Sequence, residues 1–456
     1  MPGSVKMLKI NTFLFIIFFS FQQVVVAQNI PNVKKSPRQK SFGIDTSKTE
    51  YYSTSRFLYE DHTYKNNIQT VQLSQAAFEL TSQPLLTLNS DEQLKLSFDD
   101  FDVEMKTYNY TVIHCNAGWE PSVDLSPDDY LASFEQDFIT DYKYSFNSLK
   151  RYIHYNVVFP NDNIKITKSG NYILKVFQDN DPDKYILSRR FMVVEEKVRI
   201  DAQVRAATNV NDRNYKQEVD FTIDHTGYEI ADPFGDIKVV ITQNGRWDNA
   251  IMVLKPLFMK ENQLVYDYDE DNVFPGGSEF RYFEIRNLRY QSERIDKIEY
   301  DSSGYQVYLL GDERRNYKKY STIADINGKF LIKGLEGMDP ERECDYAYVH
   351  FFLPYDPPTI EGVLYVFGAL TDWKYTEANK MKYNSRLKGY ECTLYLKQGY
   401  YNYEYVFLQN GEKIADETFI EGMHYETENE YSIYLYHHAI GTRYDQLIGV
   451  KRVNSH

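Results

Sequence analysis

Two acidic turns are the segments of this chain best spaced to bind a metal ion. Asp179-x-Asp181-x-Asp183 opens one turn and Asp267-x-Asp269-x-Asp271 opens the other. A calcium-binding EF-hand loop needs Gly at its sixth position and a bidentate Glu at its twelfth. The sixth and twelfth positions here hold Lys184 and Arg190 in the first turn, and Asn272 and Ser278 in the second. Solvated acidic turns are therefore the favoured interpretation, with a looser calcium site at the tip of a β-sandwich as the alternative.

The histidines and hydroxyl residues form no recognisable catalytic motif. Of the nine His, only His437 and His438 are adjacent, and neighbours on a strand point to opposite faces. The sequence contains no G-x-S-x-G elbow, no H-E-x-x-H and no Gly-rich phosphate loop. We therefore predict no catalytic residues, no cofactor-binding residues and no metal site, and expect that the protein is not an enzyme. An enzyme whose site escapes motif analysis is one alternative.

Cysteine and aspartate offer two further candidates. The three Cys are an odd number for an exported protein, and Cys344 and Cys392 could pair, which spacing alone cannot establish. Buried small hydrophobic residues are the favoured interpretation. Asp99, Asp100 and Asp102 follow the strand pattern Leu94–Phe98, and we expect them to cap its end.

The first 27 residues have the features of a secretory signal peptide. Lys6 and Lys9 form a basic start, Phe13–Phe21 is apolar, and Ala27 ends the segment before Gln28. No later segment is apolar and long enough to span a bilayer as a helix. The net charge of −15 disfavours nucleic acid as a partner. We expect an exported protein that does not span the membrane.

The remaining chain is predicted to be all-β, with three consecutive immunoglobulin-like antiparallel β-sandwich domains. Short segments of period-two alternation are separated by turn residues, and 41 Tyr and 28 Phe suit pleated, half-buried surfaces. After a polar linker at 28–50, we place the domains at 51–196, 197–335 and 339–452. Asn244-Gly245 and Asn410-Gly411 are predicted hairpin turns. Pro127–Asn147 lacks clean alternation and is expected to hold a helical turn or a long crossover.

The third domain resembles a starch- or glycogen-binding module of the immunoglobulin-like type. The matching residues, in order, are Gly368, Trp373, Met381, Gly399, Tyr401, Tyr403 and Gly411. Such modules need a second exposed aromatic, where Tyr390 stands, and a Lys where Glu404 and Tyr405 stand. The fold similarity is therefore stronger than the ligand similarity. An exported glycan-binding protein is the alternative function.

Two tryptophans are also candidates for contact with a partner protein. Trp119 and Trp373 each follow a turn that contains Gly. Each is either an exposed interaction residue or a plug at the end of a sandwich. With Tyr390, they complete the set of interaction candidates.

Long segments with no catalytic signature carry a second and broader resemblance. They are His114–Ser122, Asp129–Phe134, Ile139–Asn147, Tyr152–Asn161, Ser169–Tyr172, Arg281–Asn287, Glu293–Asp301, Asp345–Pro354 and Tyr395–Phe407. Over most of the mature chain, this set resembles the plug protein family of the type IX secretion system.

That resemblance implies a non-enzymatic periplasmic protein and one main partner. The partner is the large outer-membrane β-barrel translocon of the type IX secretion system, which the protein would plug at its periplasmic opening when no cargo is passing. A cargo role is disfavoured, because the chain ends IGVKRVNSH with no mark of a separate sorting tail.

Overall fold

The computed structural model describes residues 56–77 and 83–456. The predicted signal peptide (1–27) and polar linker (28–50) lie outside these residues. The structure is 46% strand and 3% helix, with several antiparallel sheets. This confirms the prediction of an all-β protein built from β-sandwiches.

Two facing sheets form the first β-sandwich. One has the order β1-β10-β9-β5-β6, with β3 also on β10, and the other has the order β2-β4-β8-β7. On β4, Leu94, Leu96 and Phe98 point inward and are fully buried, as their alternation predicts. The elements in chain order are β1 (His62–Thr63), β2 (Ile68–Gln75), β3 (Leu85–Thr87), β4 (Leu94–Asp100), β5 (Tyr108–Cys115), α1 (Pro127–Tyr130), β6 (Gln136–Ile139), β7 (Asp141–Tyr144), β8 (Ile153–Phe159), β9 (Gly170–Gln178) and β10 (Asp181–Val194).

The expected irregular segment Pro127–Asn147 holds one helical turn and two short edge strands. Helix α1 begins with a capping box between Ser126 and Asp129. Strand β6 lies at the edge of one sheet and β7 at the edge of the other, so this segment closes one side of the first sandwich.

Eighteen further strands and one further helix follow among the described residues. They are β11 (Arg199–Ala206), β12 (Lys216–Asp224), β13 (Ile237–Gln243), β14 (Ile251–Leu254), β15 (Phe258–Lys260), β16 (Gln263–Tyr266), β17 (Val273–Pro275), β18 (Arg281–Glu284), β19 (Ile295–Asp301), β20 (Gly304–Leu309), β21 (Phe330–Ile332), β22 (Tyr346–Pro354), β23 (Gly362–Phe367), β24 (Lys382–Asn384), β25 (Gly389–Lys397), β26 (Gly399–Gln409), α2 (Thr418–Glu421), β27 (Glu430–His437) and β28 (Gln446–Asn454). A short 3-10 helix, Ala369–Thr371, follows β23.

Strand pairing in the second sandwich crosses the predicted domain boundaries. One of its sheets has the order β11-β12-β16-β15, with β17 on β12, and the other has the order β14-β13-β27-β28. Ile241 of β13 lies opposite Ile433 of β27, and both are buried in one core. The last two strands, which the sequence places in the third domain, therefore complete the second sandwich.

The third sandwich also takes strands from both sides of the predicted boundary at 335. Its sheets have the orders β18-β26-β21, with β23 on β26, and β19-β20-β22-β25-β24. Strands β18 to β21 come from the segment predicted as the second domain. Alternation fixes which face of a strand is buried, but it leaves the neighbouring strand undetermined. The division into three consecutive folding domains remains a prediction.

The two predicted Asn-Gly turns have different outcomes. Asn244 and Gly245 both have positive φ, and the Arg246 N–H donates to the Gln243 carbonyl at 3.0 Å, so the chain turns at the predicted position directly after β13. Strands β13 and β14 do pair, but residues 244–250 join them, so the connection is longer than a two-residue hairpin. At Asn410-Gly411 the chain also turns after β26, but the returning segment makes only a single bridge, between Phe407 and Asp416.

Candidate functional site

A buried ionic cluster joins the first and third sandwiches. Asp99 and Asp100 lie within β4 and are fully buried, so the expectation that they cap the strand end is wrong. Asp99 accepts hydrogen bonds from Lys397 Nζ at 2.6 Å and the Tyr346 hydroxyl at 2.6 Å, and it pairs with His154 Nδ1 at 2.5 Å. His154 lies directly opposite Asp99 on β8, so both side chains share the outer face of the sheet.

These contacts keep the Asp99 carboxyl group negatively charged although it is buried. Burial alone would raise the pKa of Asp99, but the Lys397 ammonium and the hydrogen bond from His154 outweigh it and lower that pKa. A buried carboxylate is tolerated only when it is paired and fully hydrogen-bonded. The cluster is therefore a saturated ion pair with a structural role.

Glu341 extends the same junction toward β7. Its carboxylate accepts hydrogen bonds from Lys95 at 2.7 Å and from Lys143 at 2.5 Å. Burial would raise the pKa of Glu341, but these two lysines outweigh it and lower the pKa to about 2. We call Asp99, His154, Glu341, Tyr346 and Lys397 the buried junction.

A second contact joins the Asn244-Gly245 hairpin to the third sandwich. Arg246, which follows the turn, is 2% exposed and pairs with Asp248 at 2.7 Å and Glu417 at 2.5 Å. Its guanidinium lies 5.0 Å from the ring centres of Phe367 and Trp373. Trp373, one of the predicted interaction residues, is partly exposed but packs here against its own chain.

Trp119 lies between the first and second sandwiches. It is 4% exposed, has a φ of 65°, and meets the ring of Trp247 edge-on at 4.9 Å. The Arg190 guanidinium stacks 4.6 Å from the Trp119 ring centre. A partner protein has no access to Trp119 in this conformation.

Tyr390, the third interaction candidate, is buried in the third core. It is 5% exposed, and its hydroxyl accepts a hydrogen bond from the Thr359 backbone N–H at 2.7 Å. Tyr401 and Tyr403 of the glycan-module pattern are also buried. Tyr390 is too buried to present a ring to a sugar, and Trp373 is only partly exposed, so these two residues do not supply the two exposed aromatic rings that such a module needs.

In both acidic turns, basic side chains of the protein already pair with the carboxylates. Among the described residues, one group of three carboxylates is close enough to hold an ion: Glu218, Asp220 and Asp267. The Arg205 guanidinium already lies among them, at 2.6 Å from Asp220 and 2.8 Å from Glu218. In the other turn, Asp179 pairs with Lys184 at 3.5 Å.

The cysteines are buried and free. Cys344 and Cys392 form no disulfide with each other, and Cys115 is also unpaired. Burial raises the pKa of each thiol to about 12. The favoured interpretation of small buried side chains therefore fits the structure better than pairing.

An exposed row of apolar side chains follows the closing segment of the first sandwich. Its members are between 38% and 66% exposed. The members are neighbours in sequence, and the rings of Tyr142 and Tyr144 are in contact; exposed apolar side chains that gather in this way mark interaction sites. We call this row the aromatic edge, and it consists of Phe134, Phe138, Tyr142, Tyr144, Phe146 and Leu149.

The aromatic edge continues the interior of the first sandwich. Tyr142 on β7 lies directly opposite Tyr155 on β8, with ring centres 6.0 Å apart. Tyr155 stacks on the buried Phe98 at 5.3 Å, and Tyr144 meets Tyr142 edge-on at 6.1 Å. A chain of ring contacts therefore runs from the core to the surface.

Both strands of the aromatic edge have backbone groups that are already bonded. The Phe138 N–H donates to the Asp137 carboxylate at 2.8 Å. The Phe146 N–H donates to the Arg342 carbonyl at 2.9 Å, and Arg342 Nε donates to the Tyr144 carbonyl at 3.2 Å. Such contacts hinder the addition of a foreign strand. The Arg342 guanidinium also lies 5.8 Å from the Phe146 ring centre, but every side chain of the aromatic edge is still at least 38% exposed.

A smaller apolar patch lies on the second sandwich. Leu257, Phe258 and Met259 on and beside the edge strand β15, together with Phe234, are 40% to 50% exposed. This patch has fewer members than the aromatic edge and contains no Tyr. The aromatic edge was not predicted from the sequence. The high density of aromatic residues in Phe138–Phe146 could have indicated it.

No helix of the described residues is long and apolar enough to cross a membrane. The first sandwich, which carries the aromatic edge, matches the family model described as the type 9 secretion system plug protein 1st domain, over residues 68–195. No curated protein matches the chain.

A solved structure extends the similarity beyond the first sandwich. The chain is 36% identical to a hypothetical protein from Parabacteroides merdae, known from a crystal structure. The match covers 88% of this chain and 100% of that one, with a TM-score of 0.84. The domain match confirms the resemblance of the sequence segments, and the chain carries the first domain of the plug protein family of the type IX secretion system at residues 68–195.

Proposed function

We propose that the protein is a non-enzymatic periplasmic plug of the type IX secretion system. It docks on the periplasmic opening of the large outer-membrane translocon barrel and seals the pore while no cargo is passing. Family membership supports a plug-related role in this secretion system. The single observation that carries the docking step is the aromatic edge, which lies within the family-matched residues 68–195.

The physical requirements of a plug agree with the fold. A plug must resist deformation, because any gap at the rim passes small solutes. The described residues belong to one compact unit, and buried ion pairs hold the sandwiches together at Asp99–Lys397 and Arg246–Glu417. A rigid docking face loses little conformational entropy on binding.

The aromatic edge has the composition of a protein-binding surface. Tyr and Phe are enriched at interfaces because they offer a large contact area with few rotatable bonds. Tyr also keeps its hydroxyl group hydrated at the rim. Lys143, which lies on β7 between Tyr142 and Tyr144, bonds to Glu341, and this contact restrains the strand that carries the two rings before the partner arrives.

The location of the protein follows from export and from the partner. The predicted signal peptide at 1–27 directs the chain out of the cytoplasm, and the family suggests a periplasmic or envelope-associated location. We propose the periplasmic face of the outer membrane.

Affinity purification tests this function directly. A tagged copy of the full chain, purified from solubilised outer membranes, should recover a very large β-barrel protein. Deletion of the gene should make the outer membrane permeable to large solutes. Recovery without a barrel partner, together with unchanged permeability, contradicts the proposal.

A further inference from the structure

A crevice of about 290 Å³ opens where the three sandwiches meet. Residues from the first sandwich, the Asn244-Gly245 hairpin and the third sandwich line it. Its apolar wall includes Phe330, Ile332 and Trp373. An adjoining hollow of about 260 Å³ shares Phe330 with it. Ligand sites in proteins favour such junctions, where a few polar groups converge on an apolar wall.

The charge of the crevice is opposite to that of the whole chain. The chain has a net charge of −15. The crevice is lined by five cationic side chains and three carboxylates. The cations are Lys95, Arg189, Arg190, Lys329 and Lys397, and the carboxylates are Asp61, Glu341 and Asp372.

Four of the five cations are bonded to acceptors in the protein. Lys397 pairs with Asp99 and Lys95 with Glu341, both within 2.7 Å. Arg189 lies 3.3 Å from the Asp372 carboxylate. Arg190 donates to the Tyr59 carbonyl at 3.0 Å.

Lys329 differs from these four. Within residues 56–77 and 83–456, its ammonium has neither a hydrogen-bond acceptor nor an ion-pair partner. Burial lowers its pKa, and the neighbouring Glu430 only partly opposes this. The Glu430 carboxylate instead accepts a hydrogen bond from Gln83 Nε2 at 3.2 Å. A cation held in a crevice without a partner is costly, and an anionic ligand would offset that cost.

We propose that this crevice binds a small organic carboxylate. The carboxylate group pairs with Lys329, and the apolar body of the ligand packs on Phe330 and Trp373. This site is separate from the aromatic edge and goes beyond the docking function.

Calorimetric titration of the full chain with phenylacetate tests this site. Phenylacetate combines one carboxylate with one ring, and phenylacetamide has the same shape without the charge. Wild-type protein should bind phenylacetate and bind phenylacetamide far more weakly. Lys329→Met should weaken phenylacetate binding by roughly ten- to a hundredfold, whereas Lys329→Arg should retain it.

Lys333→Met is the matched control, because Lys333 is exposed four residues further along the chain. It should bind phenylacetate as wild type does. Unfolding of ligand-free Lys329→Met should occur close to the wild-type temperature, because Lys329 is only partly buried and the substitution breaks no ion pair, and this separates lost binding from lost folding. The proposal is overturned if wild type does not bind phenylacetate, if Lys329→Met binds it as well as Lys333→Met does, or if the amide binds equally. None of these results depends on whether the protein docks on a barrel.

Discussion

The buried junction places charged side chains inside the protein, whereas the aromatic edge places apolar rings on its surface. In the junction, the charged side chains are at most 20% exposed and each is bonded, as with Asp99 and Lys397 at 2.6 Å. In the aromatic edge, rings such as Phe138 and Tyr144 are about half exposed and have no covering element. The junction therefore serves internal cohesion, while the edge has apolar surface left for a partner.

The two regions are also physically connected. Lys143 lies on β7 between Tyr142 and Tyr144, and it donates to Glu341 of the junction. The orientation of the aromatic edge is thus tied to the packing of the third sandwich. Separate substitutions in each region should distinguish cohesion from docking.

Breaking the junction should produce the largest effect. Lys397→Met leaves the Asp99 carboxylate buried without its main partner, and we expect a loss of about 3–5 kcal/mol in the free energy of unfolding. Denaturant unfolding measures this loss. Adding Asp99→Asn to the same chain should recover much of it, since the uncompensated charge is then gone.

A surface pair provides the control for that experiment. Lys380 pairs with Glu377, which is 81% exposed, so Lys380→Met should change stability by no more than about 1 kcal/mol. If Lys397→Met were as mild as Lys380→Met, the junction would not hold the sandwiches together.

Removing rings from the aromatic edge should affect docking and leave folding nearly unchanged. The double variant Phe138→Ser, Tyr144→Ser should lose about 2 kcal/mol or more of docking free energy, because exposed aromatic residues at the centre of an interface dominate binding. Quantitative co-purification with the barrel measures this. Tyr290→Ser is the matched control, since Tyr290 is 74% exposed and lies outside the edge. Equal docking by both variants would exclude the aromatic edge.

Acidification should weaken the junction through Glu341. Its folded-state pKa of about 2 lies below its ordinary value of 4.5. The carboxylate therefore stabilises the fold at neutral pH, and this contribution is lost as pH falls from about 4.5 to about 2. Unfolding measured across this range should show Glu341→Gln less stable than wild type at neutral pH, with the gap closing in acid. The exposed Glu377→Gln serves as control, and a gap that persists at low pH would contradict the assignment.

The smallest expected effect is a change in the rate at which the Cys344 thiol is labelled when the buried junction opens. The Cys344 carbonyl accepts a hydrogen bond from the Tyr152 hydroxyl at 2.8 Å, and burial raises the pKa of its thiol to about 12. Iodoacetamide should leave Cys344 unmodified in wild type and label it faster in Lys397→Met. Cys392, within the third core, is the internal control. Similar labelling of both thiols would mean that the variant unfolds globally.

The sequence predicted elements better than it predicted their partners. Leu94, Leu96 and Phe98 follow the strand alternation and are buried as expected. Asp99, the next residue, is expected from the sequence to cap the strand end. Its actual partner, Lys397, lies 298 residues away, so the local sequence could not predict their ion pair. The pairing of β27 with β13 escaped prediction for the same reason, since local alternation carries no information on distant neighbours.

The sequence predicted the protein family, but it did not predict which residues form the candidate docking surface. The segment Ile139–Asn147 contributed to the family resemblance and proved to be part of the aromatic edge. Trp119, which follows a turn containing Gly, was a candidate for contact with a partner protein, but Arg190 and Trp247 cover its ring. Exposure depends on tertiary packing, which residue type alone does not reveal.

Site-specific photo-crosslinking in intact cells is the sharpest test of docking through the aromatic edge. A photoreactive phenylalanine analogue replaces Tyr144 in one strain and Tyr290 in another, and crosslinked products are identified by mass. If the aromatic edge docks on the translocon, position 144 should crosslink to a very large outer-membrane barrel and position 290 should not. A barrel crosslink from position 290 alone, or from neither position, would contradict docking through the aromatic edge.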